Sequence, residues 1–291
     1  MGSAPAPKGK NLAGREPLKV AHIVVIVAGV VLLASLSAYS ALWFDESYSV
    51  ALVRHPLGEL WRIASSDVHP PLYYYLLKLV WLLFPDDVVA YRLFSVAALG
   101  CLSLLGYTHL RRDFGGRVGI AFSFLTLVSP WSFRVSSQIR MYSWAALFVG
   151  VCLIYGLRVI RALREARLGE VAPTLPRHWW VVLCLSSAAA ANCHYFALMA
   201  AFSVNLCVIV ALVCARRCLR DTHVVRDYVL TAALACASFV PWMGALLGQA
   251  GHVSQYFWIR LDLPRALLQI VCFPFLDSDM ASIDAVVMSG L

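Results

Sequence analysis

Between Val20 and Gly248 the chain is built from long apolar runs separated by short polar segments, several of them rich in arginine. A run needs roughly 20 apolar residues to cross about 30 Å of hydrocarbon at about 1.5 Å per helical residue. By that measure the candidate spans are 20–43, 88–110, 118–133, 141–158, 179–193, 196–214 and 228–248, the third and fifth being short. In lipid a segment must satisfy its own backbone hydrogen bonds, which a helix does and an irregular loop does not. The expected fold is therefore all-α, a polytopic transmembrane bundle of about seven spans. Composition agrees, with 61% hydrophobic and 14% charged residues against about 25% charged in an ordinary soluble chain.

One apolar piece fails the length test. "LYYYLLKLVWLLF", Leu72 to Phe84, would reach only about 20 Å as a helix. It follows Pro70 and Pro71 and carries Lys78 among tyrosines and tryptophans, residues that favour the headgroup region. A helix lying in the interface is expected there, and "HPLGELWRIASS", His55 to Ser66, reads as a second, more polar one. With Leu72 to Phe84 not crossing, "RRDFGGR" (111–117), "RVIRALREARLGEVAPTLPRH" (158–178) and "ARRCLRDTHVVRD" (215–227) all fall on the same side as the basic N-terminus. That satisfies the positive-inside rule three times over. The first run, longer than the core of a signal peptide, reads as a retained span.

The net charge of +8 sits in these clusters between spans and reports orientation. It does not form the long basic face that nucleic acid would require. Nine cysteines are scattered without a CxxC pair, most inside apolar runs, so neither a disulfide framework nor a zinc site is expected.

The outer side gathers the polar chemistry. "WFDESYSV" puts Asp45 and Glu46 together just beyond the first span. Acids are common past a helix end, where water solvates them, but an ionised carboxylate can also take a proton from an attacking hydroxyl. Adjacent residues do not point the same way, so Asp45 is assigned as the base and Glu46 as an orienting partner or cation ligand. In "DVHPPLYYY", His69 precedes a rigid Pro-Pro start at headgroup level and can bind phosphate or a metal; the plain reading is a loop ended by prolines. "SSQIRMYSW" places Arg140 and Tyr142 at an outer span end. Arginines there usually snorkel to water, yet this charge runs against the inside bias, and a phosphate ligand would account for it. "NCHYFALM" holds His194 and Tyr195 in a tight outer turn, where a substrate role is a weaker expectation. "VPWMG" reads as a proline kink within a span.

Read in order, "FDESYSV", "DVHPPLYYYLLKLVWLLF", "YRLFSV", "SSQIRMYSWAAL" and "HYFALM" resemble bacterial-type glycosyltransferases related to the family 39 protein O-mannosyltransferases and the lipid A aminoarabinose transferase, membrane enzymes of the GT-C fold. The resemblance covers roughly Phe44 to Met199. It implies a GT-C-like bundle and inverting transfer of a sugar from a polyprenyl-phosphate donor to a lipid, glycan or protein acceptor on the outer or lumenal face. Of the residues, it implies Asp45 as base with Glu46 beside it, and His69, Arg140, Tyr142, His194 and Tyr195 on the substrate side. The expected organisation is a cytoplasmic basic tail over 1–19, a transmembrane glycosyltransferase domain over 20–250 with its first outer loop at 44–87, and an outer segment over 251–291 that begins a further C-terminal part. The membrane would be a bacterial inner membrane or the endoplasmic reticulum. No cofactor is required by spacing; a divalent cation held by Glu46 or His69 is compatible with the chemistry.

Two other readings compete. A transporter or flippase for lipid-linked sugars should place ionisable residues at mid-span and repeat its halves, and neither pattern is evident. An inactive fragment that only binds the donor is the other, and labelled donor would separate it from an enzyme.

Overall fold

The computed structural model describes residues 15–37, 41–169, 172–173, 175–219 and 223–256, with side-chain surroundings as far as 251. Among these residues the secondary structure is entirely helical. The expected regions 1–19 and 251–291 fall largely outside the described residues.

The first span, α1 (Arg15–Ser37), is shorter at its end than the expected 20–43. Apolar composition continues past Ser37, yet residues 41–43 are not helical, and α2 (Phe44–Arg54) begins with Asp45 and Glu46 in its first turn. Acids suit that place because the exposed N–H groups of a helix start carry partial positive charge. Three short helices, α2, α3 (Leu57–Ser65) and α4 (Leu72–Leu83), form a layer at one end of the bundle. The α4 helix packs on α2, α5 and α10, burying Tyr73, Tyr74 and Leu77 while Leu79, Leu82 and Leu83 stay exposed. It does not cross, as its 12 residues require. Lys78 departs from the expected headgroup placement. It is buried, and its Nζ donates to the Val53 carbonyl at 2.8 Å and lies 4.5 Å from the Trp81 ring.

The second span starts at α5 (Val88–Leu105), where the Asp87 carboxylate accepts from the Val89 and Ala90 amides at 2.9 and 3.1 Å. It continues through a π-helical turn (Gly106–Leu110) into α6 (Arg111–Phe114) and stops at Gly115, whose φ of 98° suits glycine. Next come α7 (Gly116–Val128) and α8 (Pro130–Ser136), bent by 54° where Pro130 cannot donate a backbone bond. The rest of the bundle is α9 (Tyr142–Gly169), α10 (Arg177–Cys193), α11 (Tyr195–Cys214), a 3-10 turn (Arg216–Leu219), α12 (Val224–Phe239) and α13 (Met243–Tyr256). The expected proline kink is a single 3-10 turn, Val240–Trp242, between α12 and α13.

Among the described residues five helices are long and apolar enough to span, or six if α7 and α8 make one bent span. At 17 residues α10 falls just short of spanning length, yet its place in the bundle is that of a span. It packs on α9, α11 and α12. Cys193 at its end meets the Met141 carbonyl at 3.8 Å beside the start of α9, whereas Cys218 after α11 meets the Ala166 carbonyl near the end of α9 at 3.6 Å. So α10 runs antiparallel to α9 and α11 from one end of the bundle to the other, and parallel to α12, with Trp180 beside Tyr228 near both starts and Asn192 bonded to Ser238 near both ends.

Close approach of the π-helical turn and α7 depends on glycine. A Cβ built on Gly106 would sit 2.6 Å from the Gly119 carbonyl oxygen, and small residues are what let membrane helices meet this closely. Gly106→Leu should lower the thermal midpoint of the detergent-solubilised chain, in line with about 1–3 kcal/mol for overpacking. Gly248→Leu, where a Cβ meets nothing within 4 Å, should leave the midpoint unchanged.

Candidate active site

The two adjacent acids have opposite surroundings. Glu46 is buried at 1% exposure. Its Oε1 accepts from the Ile139 amide at 2.9 Å, and its Oε2 accepts from the Trp43 amide at 3.2 Å and from Arg92 Nη2 at 3.3 Å. Arg92 also donates to the carbonyls of Ser37 and Ala41, each at 3.2 Å. Asp45 instead faces the open side, its side chain 39% exposed and its Oδ2 3.7 Å from Arg140 Nη2.

Arg140 lies in the turn between α8 and α9 with a side chain only 5% exposed. Its Nη1 reaches the Asp45 carbonyl at 3.4 Å, while its buried Nε has no hydrogen-bond acceptor among the described residues. Burial disfavours its charge, but the neighbouring oxygens of Tyr74, Tyr142 and Asp45 outweigh that and keep it firmly cationic.

Asp67, His69 and His194 continue the same cluster. The Asp67 carboxylate takes long bonds of 3.5 Å from His69 Nδ1 and the Tyr74 hydroxyl. Burial pushes its carboxyl upward, but the hydrogen bond and charge of His69, the Val68 amide and Arg140 bring it below the ordinary value. Tyr48 is pushed up to about 12 by burial and the Asp67 charge, and burial raises Tyr74 well above its ordinary value. These phenols stay protonated donors at neutral pH. The His194 ring lies 5.4 Å from His69 and 5.7 Å from Tyr142. Its Nδ1 accepts from the Phe196 amide at 3.1 Å, which leaves Nε2 to carry the proton. Burial, with His69 and Arg140 nearby, lowers its pKa to about 4.

The structure thus brings together Asp45, His69, Arg140, Tyr142 and His194. Glu46 turns away toward Arg92, and Tyr195 serves another network. The Tyr195 hydroxyl donates to Gln249 Oε1 and accepts from Trp242 Nε1 at 2.9 Å, and Gln249 donates to the Ala64 and Ser65 carbonyls at 3.2 and 3.0 Å. That ties α11 and α13 to α3. Among the described residues no group of three or more His, Cys, Asp or Glu side chains is placed to hold a metal ion. Glu46, offered above as a cation ligand, has both oxygens engaged by donors. Sequence reasoning missed Arg92 and left Asp67, Tyr48 and Tyr74 without roles. The available signal for Arg92 was a charge inside an apolar run, which is rare unless it is paired or functional.

An exposed carboxylate beside a buried guanidinium, ringed by protonated phenols and a neutral imidazole, can accept a proton and face a developing anion at one place. A sequence model of the family described as dolichyl-phosphate-mannose-protein mannosyltransferase matches residues 68–242, beginning downstream of Asp45 and Glu46. No curated protein and no solved structure compared with the chain matches it.

Glu46→Gln should cost about 3–5 kcal/mol of stability, because it leaves the Arg92 charge buried without its carboxylate. Asp45→Asn should barely move the unfolding midpoint; equal losses in the two variants would refute the split between the acids. His194 adds a pH dependence. Its folded pKa of about 4 lies below the usual 6.5, so the unfolded chain binds the proton first as pH falls. The contribution is fully present above about pH 6.5 and is lost on descent toward pH 4. The midpoint gap between wild type and His194→Gln should therefore change between pH 7 and pH 5, and a constant gap would argue against a buried neutral imidazole.

Proposed function

We propose, on the premise that the chain belongs to the dolichyl-phosphate-mannose-protein mannosyltransferase family and is a multi-pass membrane glycosyltransferase, that it draws its sugar from a polyprenyl-phosphate carrier. The acceptor is a hydroxyl of a lipid, glycan or protein, and transfer inverts the anomeric centre. The observation that carries this reading is Asp45 held in the open, 3.7 Å from the buried Arg140 guanidinium.

In this reading Asp45 takes the proton of the acceptor hydroxyl as its oxygen bonds to the anomeric carbon from the side opposite the leaving group. The bond from that carbon to the carrier phosphate breaks, and the phosphate leaves with the electron pair. A departing phosphate needs charge stabilisation, and fixed donors supply it without reorganising. Arg140 is the cation for that work, with His69, the Nε2–H of His194 and the Tyr142 hydroxyl as neighbouring donors. Glu46 is a positioning residue, because it fixes the start of α2 and the Ile139–Arg140 turn through its own bonds.

The site end of the bundle is assigned to the periplasmic or lumenal side. Support comes from the opposite end, which holds Arg111, Arg112, Arg164, Arg167, Arg216 and Arg217. Residues 20–250 then form the transferase domain, with its acids and interfacial helix in the loop 44–87.

The test uses membranes or proteoliposomes containing the full chain and labelled polyprenyl-phosphate mannose. Asp45→Asn should reduce transfer about 10²- to 10⁴-fold, with the unfolding midpoint preserved. Near wild-type transfer by that variant would sink the base assignment. Equally fast transfer from a nucleotide-linked sugar, with no lipid-linked donor present, would sink the carrier assignment.

A further inference from the structure

At the end of the bundle away from Asp45, a cleft of about 420 Å³ opens between α9 and α11, within the usual range of ligand pockets, about 300–1,000 Å³. Its walls are Ile160 and Leu163 on α9 and Leu206 and Val210 on α11, and Arg164 and Arg167 lie at its mouth. Both helices run from the Asp45 end toward this end. The apolar half of the cleft therefore lies deep in the membrane, and the arginines lie at its surface.

The arginines of α9 divide into two sets. Arg158 is committed to Asp113 through bonds of 2.8 and 3.1 Å, and Arg161 sits 4.0 Å over the Phe114 ring. Arg164 and Arg167 are exposed and have neither an acid nor a hydrogen-bond acceptor among the described residues. Glu165 lies between them in sequence, but neighbours in sequence do not share a helix face. A second observation adds to the charge. The 3-10 turn after α11 is docked on α9 by the contact of Cys218 with the Ala166 carbonyl at 3.6 Å. That turn brings Arg216 and Arg217, both exposed and likewise unpaired among the described residues, to the same end.

We propose that this cleft is a binding site for an anionic phospholipid of the leaflet at the arginine-rich face, distinct from the site at Asp45. The polarity of the cleft matches that of the lipid, with acyl chains along Ile160, Leu206 and Val210 and the phosphate between Arg164 and Arg167. Guanidinium groups suit phosphate oxygens in geometry as well as charge, and basic pockets between spans on the cytoplasmic side are known to hold anionic headgroups. Orienting the chain in the membrane needs only a surplus of basic residues near the span ends. It does not need two of them to line an open apolar cleft while two others on the same helix are paired internally. The bound lipid would fill the cleft and neutralise the charges, joining α9, which starts beside Arg140, to α11, which starts beside His194.

The experiment is native mass spectrometry of the full detergent-solubilised chain, titrated with phosphatidylglycerol and with phosphatidylcholine of the same acyl chains. One molecule of the anionic lipid should be retained in preference. In the Arg164→Gln, Arg167→Gln double variant that preference should fall by roughly thirty-fold, the change equivalent to about 2 kcal/mol at 1.4 kcal/mol per decade. Arg226→Gln, an exposed arginine near the start of α12 with Asp227 as its partner, should keep the preference and serves as a control for loss of charge alone. An unchanged unfolding midpoint in lipid-free detergent shows that the double variant is folded; should it unfold, the single variants Arg164→Gln and Arg167→Gln are read in its place, each with a smaller drop. Equal retention of the two lipids, or a preference unaffected in the variants, overturns the proposal. Displacement by millimolar inorganic phosphate alone also overturns it in favour of a simple anion site, and a lipid-independent dimer mass overturns it in favour of a second copy in the cleft.

Discussion

Glu46 and Arg92 meet at 3.3 Å with about 2% of either side chain exposed, and the site end of the molecule is organised around that contact. Burying two charges costs more than their attraction returns unless their remaining donors and lone pairs are also satisfied. Here backbone groups meet most of that demand, with Arg92 Nε left without an acceptor among the described residues. Glu46 takes the amides of Trp43 and Ile139, and Arg92 gives to the carbonyls of Ser37 and Ala41. The pair therefore joins the end of α1, the entry to α2, the first turns of α5 and the turn before α9. Ser95, one turn further along α5, adds a 2.7 Å bond to the Gln138 carbonyl in the same turn. Once Glu46 is fixed inward, helical geometry rotates Asp45 by about 100° to the outside, and the turn held by Ile139 delivers Arg140 next to it.

The electrostatics of the cluster follow from that placement. Arg140 is a nearly buried cation facing one partly exposed carboxylate at 3.7 Å and one long-bonded carboxylate further off. The surrounding phenols are held protonated, and the imidazole of His194 is held neutral, by burial. Tyr48, Tyr74 and His194 therefore keep their charge state near neutral pH. In the proposed reading, a developing anion there would meet pre-set dipoles, the condition under which such stabilisation is most effective.

The spans were legible because crossing hydrocarbon demands length and apolarity, which a single sequence displays directly. What hydropathy does not display is where the chain turns inside an apolar stretch. The run through 20–43 looked continuous, yet residues 41–43 are not helical and α2 starts anew with its acids. The failure of α4 to cross was legible from its 12 residues, but the environment of Lys78 was not. Its partner is a backbone carbonyl 25 residues away, which no side-chain pattern encodes. The gathering of Asp45, His69, Arg140, Tyr142 and His194 was readable from topology, since all lie in segments returning to one face. The charge of Arg92 inside an apolar run was visible, but its partner was not, since it lies 46 residues upstream on a helix that composition alone did not mark. The internal bonds of Tyr195 were hidden for the same reason, its Gln249 partner being 54 residues away.

The two ends of the bundle use arginine in opposite ways, and the presence of acids decides which. Near Asp45, Arg92 and Arg140 are drawn inside by carboxylates and backbone oxygens, and the cost of burying them is offset by fixed geometry. At the other end Arg158 finds Asp113 and is largely withdrawn in the same manner, but Arg164, Arg167, Arg216 and Arg217 meet no acid among the described residues and stay exposed. Exposed guanidinium groups beside an apolar cleft are left to the bilayer itself. The structure therefore satisfies its cations from within at the Asp45 end, and at the other end leaves them open to a partner from outside, the role proposed above for an anionic lipid.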